Sequence, residues 1–312
     1  MAQQRQEPGL LLEAHFGVGI TAYYLGDFAA SHIHCEQGLT LYEAESNQTH
    51  ALAAVQDPGV VCHTYAGLGL WALGYPEQAV EQSQAGLALA RNVADPYSLA
   101  FALLHCALLH IQRREGVTAA AMAAAALTSA EERGFAFWVA WGTFLRGAAL
   151  AVQGQYDAGI ADMQQGLDAA EHTEAEVGRS MFLTLLAEAY GQAGQPETGL
   201  RIVNEARATV HRKGERCYEA ETCRIKGELL LALPVADAAE AERCLRHALE
   251  VARRQQATSW TLRAAMSLSR LWSQQDRQTE ARQVLTDVYG AFTEGFDTVN
   301  LQEAQGLLRQ LA

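Results

Sequence analysis

The sequence predicts an all-α fold, an α-solenoid of about seven helix–turn–helix repeats with a period of about 40 residues plus a C-terminal capping helix. Three observations predict it. The 312 residues are rich in Ala, Leu, Glu, Gln and Arg and hold only six Pro, a composition that favours helix, and no β-branched or aromatic runs mark strands. One turn-plus-helix frame recurs along the chain. A small residue also recurs at a fixed phase in the helix before each turn.

The frame reads GDFAASHIHCEQGL at 26–39, GYPEQAVEQSQAGL at 74–87, GQYDAGIADMQQGL at 154–167 and GQPETGLRIVNEAR at 194–207. Degenerate copies end at Leu127, Leu249 and Tyr289. The late small position falls at Gly38, Gly86, Ala126, Gly166, Ala206 and Ala248, with Val288 in the last copy. The intervals are 48, 40, 40, 40, 42 and 40 residues. An insertion near 47–57 accounts for the first, and a longer turn at 233–237 for the 42. Each preceding helix carries its own small residue: Gly19, Gly67, Ala107, Gly147, Ala187, Gly227 and Ser269. Gly inside a helix costs about 1 kcal/mol against Ala. Its recurrence at one phase therefore points to close helix crossings, where axes approach to about 8–10 Å. Gly26, Gly74, Gly154 and Gly194 are placed to end first helices in the left-handed conformation, and Pro76 and Pro196 to open second helices. The organisation expected is a polar extension at 1–9, the repeat domain at 10–297 and the cap at 298–312. A terminal repeat needs a cap over its exposed face. The N-terminal end shows none: Leu10, Leu11, Leu12 and Phe16 open the first helix, which suggests an upstream domain or a homo-oligomer contact through that face.

These positions resemble the tetratricopeptide pattern of small, aromatic, small and small residues over two helices. A period of 40 in place of 34 is similar to the superhelical sensor region of bacterial signal-transduction ATPases of the maltose-regulon-activator type. DPGVVCHTYAGLGLWALGYPEQAV, DPYSLAFALLHCALLH, GFAFWVAWGTFLRGAALAVQGQ, LLAEAYGQAGQPETGL, ARRQQATSWTLRAAMSLSRLW and VYGAFTEGFDTVNLQEAQGLL follow one another in order. Together, from about residue 55 onward, they resemble the C-terminal region of proteins that place a class III adenylate/guanylate cyclase or a regulator domain before a predicted ATPase. The resemblance implies a sensor or protein-contact role, with the activities lying upstream. No GxxxxGK[ST] phosphate loop occurs in the chain, so neither ATPase nor cyclase activity is carried onto it. It is expected to be a separately encoded sensor or a piece of a longer product.

Composition narrows the partners. The net charge of −13 opposes binding to nucleic acid or to anionic membranes. There is no signal peptide and no apolar run long enough to span a bilayer, so a cytoplasmic location is expected. The six cysteines form no CxxC and read as reduced, buried thiols. His32 and His34, like His105 and His110, lack the i, i+3 or i, i+4 spacing of a metal site on one helix, so no metal and no cofactor are expected. The charged helix with Glu219, Glu221, Arg224, Lys226 and Glu228 reads as solvated ion pairs rather than catalytic carboxylates. No catalytic residue is assigned.

Phasing each first helix on its central small residue gives a concave strip. It holds Tyr23, Tyr24, Trp71, Phe101, Ile111, Trp141 and Phe144, then Glu188, Glu221, Arg224, Glu228, Arg263 and Arg270. The first half is apolar and aromatic, the second charged. The aromatics serve either as core between repeats or as a groove for a protein, a peptide or a small effector. Gly19, Gly38, Gly67, Gly86, Gly147, Gly166, Ala187, Ala206, Gly227 and Ala248 are assigned to packing between helices.

Overall fold

A computed structural model describes residues 8–45, 56–173 and 177–312. Among the described residues there are fifteen α-helices and no strand. They pair as seven antiparallel hairpins and one further helix. The first three hairpins are α1 (Pro8–Leu25) with α2 (Phe28–Glu45), α3 (Pro58–Leu73) with α4 (Pro76–Val93), and α5 (Pro96–Gln112) with α6 (Gly116–Arg133). The next two are α7 (Ala136–Val152) with α8 (Tyr156–Glu171), and α9 (Arg179–Gln192) with α10 (Pro196–Lys213). Then come α11 (Glu219–Leu231) with α12 (Ala238–Arg254), α13 (Thr258–Gln274) with α14 (Gln278–Tyr289), and finally α15 (Val299–Gln310). The extension at 1–9 lies, apart from Pro8 and Gly9, outside the described residues, as does the insertion except for Gln56 and Asp57.

Local chemistry sets the hairpin boundaries. Asp57 and Asp95, each followed by proline, start α3 and α5: their carboxylates accept from Val60 N (3.0 Å) and Ser98 N (2.8 Å). That satisfies N–H groups the first helical turn leaves unpaired. In six of the seven turns between the helices of a repeat, one residue lies in the left-handed region. Gly74 fills it at φ +101° and Gly194 at φ +76°. The third and seventh repeats instead place Arg114 and Asp276 there, at φ +64° and +60°.

The small residues lie where helices cross. A Cβ on Gly147 would stand 2.5 Å from Gly159 O and 2.7 Å from Met163 N, both backbone atoms of α8. A Cβ on Gly166 would stand 2.6 Å from Phe144 N. Ala187, Ala206 and Ala248 have no exposed surface. Odd-numbered helices pack on one another in succession, while each even-numbered helix packs on its own partner and the next odd-numbered one. The odd-numbered helices therefore form the inner layer of the superhelix.

The inner layer curls until its two ends meet. Helix α13 packs on α3, five repeats earlier. Trp260 meets Trp71 edge to face, with ring centroids 4.6 Å apart, and Ser259 Oγ donates to Trp71 O at 2.5 Å. Arg216 N donates to Tyr24 O at 2.7 Å, and Gln112 Nε2 to the Tyr218 hydroxyl at 2.9 Å. The Glu294 carboxylate accepts from Glu77 N (2.8 Å) and Gln78 N (3.1 Å), capping α4 from a segment 217 residues away. Tyr75, at the N-cap of that helix, makes no side-chain cap of its own.

Candidate functional site

Two cavities open between the inner helices. Phe101 and Ile111 on α5 line different cavities. Ten residues of helix separate them, about 15 Å. The first cavity is walled by Tyr24, Tyr65, Phe101, His105, Trp138 and Trp141. The second has an apolar floor of Ile111, Ala148, Val152, Met163 and Leu185 and carries Arg114, Glu188 and Arg263. It runs into a polar mouth that shares those three charged residues and adds Arg224, Glu228, Arg270 and Glu303. Between the two cavities sits buried Tyr23, its ring 5.2 Å from Tyr65.

The six predicted charged residues converge on the second cavity or its wall. Glu221 is buried and meets Arg224 at 2.6 Å and also Arg263. Arg224 reaches Glu228 at 2.7 Å and Glu188 at 2.9 Å. Ser267 Oγ donates to Glu228 at 2.7 Å. Burial pushes the Glu221 carboxyl up, but the Arg224 and Arg263 guanidiniums outweigh it and hold the group below its ordinary range. Burial acts the same way on Glu228 and is outweighed by Arg224 and the Ser267 hydroxyl. The network is thus ionised and fixed in place. The expectation of solvated pairs along one helix is corrected: Glu221 and Arg224 are buried, and their partners come from α9, α11 and α13. Arg270 is exposed at the mouth, 3.5 Å from Glu303.

The predicted aromatics divide. Tyr24 is half-buried and, with Phe101 and Trp141, lines the first cavity. Trp71 is taken up by the closure against Trp260. Phe144 has no exposed surface and stacks on Phe182 at 4.0 Å. Both are packing residues here because the superhelix closes over one and the next repeat covers the other. The aromatic cavity is walled by aromatic residues of the first half of the chain, and the charged residues Glu188, Arg224, Glu228, Arg263 and Arg270 come from the second. His105 sits among Tyr65, Phe101 and Trp141 with Nδ1 2.8 Å from Phe101 O. Burial lowers its pKa to about 4, so it is neutral.

Sequence phasing missed Arg114, Gln112 and Tyr218, together with Asn300 and Glu303 from α15. Arg114 carried a signal: it stands where four other repeats have the turn glycine. Among the described residues no group of three His, Cys, Asp or Glu side chains gathers as a metal site requires. His15 and His34 meet at 2.9 Å, and His110 bonds Glu115 at 2.5 Å. All six cysteines are free, five of them buried. No described helix is long and apolar enough to cross a membrane.

No family model matches the chain, and no curated protein matches it. Solved structures do. A tetratricopeptide repeat protein from Parabacteroides merdae ATCC 43184 aligns over 97% of this chain and 99% of its own, at TM-score 0.51 and 12% identity. A Rap protein complexed with Competence and Sporulation Factor aligns over 96% and 80%, at TM-score 0.64 and 11% identity. NprR in complex with its cognate peptide NprX aligns over 96% and 82%, at TM-score 0.60 and 12% identity. The fold is therefore a tetratricopeptide-like helical solenoid.

Proposed function

We propose that the chain is a non-catalytic binding scaffold that takes a peptide or protein segment into the charged end of its lumen. Such a scaffold would serve as the regulatory module of a larger bacterial signalling protein of the cyclase/ATPase type. The observation that carries the reading is the continuous cavity between α5, α7, α9, α11, α13 and α15, with an apolar floor and a fixed ionic mouth. Ligand sites join a mostly apolar lining to a few placed polar groups, and rigid repeats hold such a surface preformed. Two proteins of similar fold were solved with Competence and Sporulation Factor and with the peptide NprX bound, which supports a peptide as the ligand class. The sequence resemblance supports the signalling context.

The test is selection of peptides from a random phage-displayed library on the whole immobilised chain, followed by titration of the winners. The reading expects an enriched sequence whose binding is lost in Val152→Trp, which fills the floor from a half-buried position. Selected peptides that bind Val152→Trp as well as the wild type would place recognition outside the lumen.

A further inference from the structure

Four successive inner helices bring aromatic rings to the first cavity: Tyr24 on α1, Tyr65 on α3, Phe101 and His105 on α5, Trp138 and Trp141 on α7. The repeat period sets their register, with Tyr65 and His105 standing 40 residues apart. The His105 ring lies 5.6 Å from that of Tyr65 and 5.7 Å from that of Trp141. Leu25 and Val177, both exposed, extend the apolar lining to the surface.

The lining carries no net charge. Lys213 and Glu215 bring one charge of each sign. The Glu215 carboxylate also accepts from Gly178 N at 3.1 Å and Ser180 Oγ at 3.2 Å. His105 is neutral, because burial lowers its pKa to about 4. Such a lining favours an uncharged ligand over an ion that would give up its water.

One polar atom of this lining is left over. His105 Nδ1 lies 2.8 Å from Phe101 O. A carbonyl oxygen only accepts, so Nδ1 carries the proton and Nε2 of the neutral ring is a bare acceptor. No donor among the described residues reaches it. The Tyr65 hydroxyl donates to Tyr24 at 3.3 Å, and Thr21 Oγ1 donates to Gly17 O at 2.8 Å, so neither supplies one. Among the described residues seven polar side-chain atoms are sealed in the interior without a partner, and Nε2 is not one of them. It keeps open surface on a side chain that is otherwise buried and that lines the cavity.

An open acceptor in an apolar lining calls for an N–H or O–H on the ligand. Ligand sites join a mostly apolar wall to a few placed polar groups in this way. The wall calls for a flat body, since aromatic rings pack best on other rings, stacked or edge to face. We infer that the first cavity is a second binding site, for an uncharged, flat, fused-ring aromatic small molecule whose N–H or O–H donates to His105 Nε2. The site goes beyond the peptide-binding reading and uses different residues, so either can fail alone.

The experiment is calorimetric titration of the whole chain with β-naphthol, its methyl ether and decahydro-β-naphthol at neutral pH. The ether lacks the donor, and the decahydro compound keeps the hydroxyl on a saturated skeleton. β-Naphthol is expected to bind about tenfold tighter than either, from the unpaired Nε2 in one case and the lost ring contacts in the other. His105→Phe keeps a ring but removes the acceptor, and should bring the naphthol and its ether to equal affinity. Thr21→Trp reaches into the cavity from an exposed position on α1, and should weaken naphthol binding by about tenfold at an unchanged melting temperature. An ether that binds as tightly as the naphthol, or a naphthol preference that persists in His105→Phe, would overturn the hydrogen bond to Nε2. Equal binding of the saturated alcohol would overturn the flat aromatic ligand. Undiminished binding in Thr21→Trp would place the site elsewhere, and binding of none of the three compounds would overturn the inference as a whole.

Discussion

Replacing Gly147 by alanine sets two helix effects against each other. Alanine is worth about 1 kcal/mol over glycine inside a helix. At Gly147 the added methyl meets backbone, with Gly159 O at 2.5 Å, Met163 N at 2.7 Å and Asp162 Cβ at 2.8 Å. Backbone atoms of a packed helix cannot swing aside as a side chain does, so α7 and α8 must separate. Overpacking of this kind costs about 1–3 kcal/mol, and contact with backbone puts it in the upper part of that range. The net expectation is a loss of about 1–2 kcal/mol. Gly17, in helix α1, is the control, because a Cβ there meets nothing within 4 Å. Gly17→Ala should gain up to about 1 kcal/mol, leaving the two variants about 1–3 kcal/mol apart. Urea melts of the whole chain followed by circular dichroism measure the gap. If Gly147→Ala is as stable as Gly17→Ala, the small residues at that phase are not there for close crossing and the argument from periodicity collapses.

Three further outcomes follow from the packing. Glu221→Gln leaves buried Arg224 and half-buried Arg263 short of a carboxylate and should lower stability by about 3 kcal/mol or more in the same melts; a loss below 1 kcal/mol would show the network to be well solvated. Glu294→Ala removes the cap that closure supplies to α4 and should cost about 1 kcal/mol, with faster amide exchange at Glu77 and Gln78; unchanged exchange at both would mean that the ends do not meet in solution. His105 is a base whose pKa falls from 6.5 unfolded to about 4 folded through burial. As pH drops below 6.5 the unfolded chain takes the proton first, so stability is lost between pH 6.5 and 4, at up to about 1.4 kcal/mol per pH unit. His105→Phe should flatten that slope above pH 4.5, and an unchanged slope would assign it to other groups.

The repeat frame was legible because it is local. Turn glycines, the Asp-Pro openings of α3 and α5 and the small residue at each crossing all act within one hairpin or between neighbours. The hairpins consequently fall where the intervals put them. Closure was not legible, because the meeting of α3 with α13 sums small rotations over five repeats, and no residue records that sum. This is why Trp71, read as concave, is spent on the contact with Trp260. Five residues of the charged strip line the mouth of the second cavity. Glu188, Arg224, Glu228, Arg263 and Arg270 lie inside inner helices, where phase alone aims them inward. Arg114 and Glu303 escaped because they come from a turn and from α15, outside the phased helices. A charged residue at a position that is glycine elsewhere in the repeat was the available clue.

The central claim is that the charged end of the closed lumen is the binding site. The most direct measurement is the affinity of one library-selected peptide for the wild-type chain and for Val152→Trp, with the melting temperature of each recorded alongside. The claim predicts that the filled cavity loses binding by at least tenfold while the variant melts within a few degrees of the wild type. Undiminished affinity in a folded variant would contradict it.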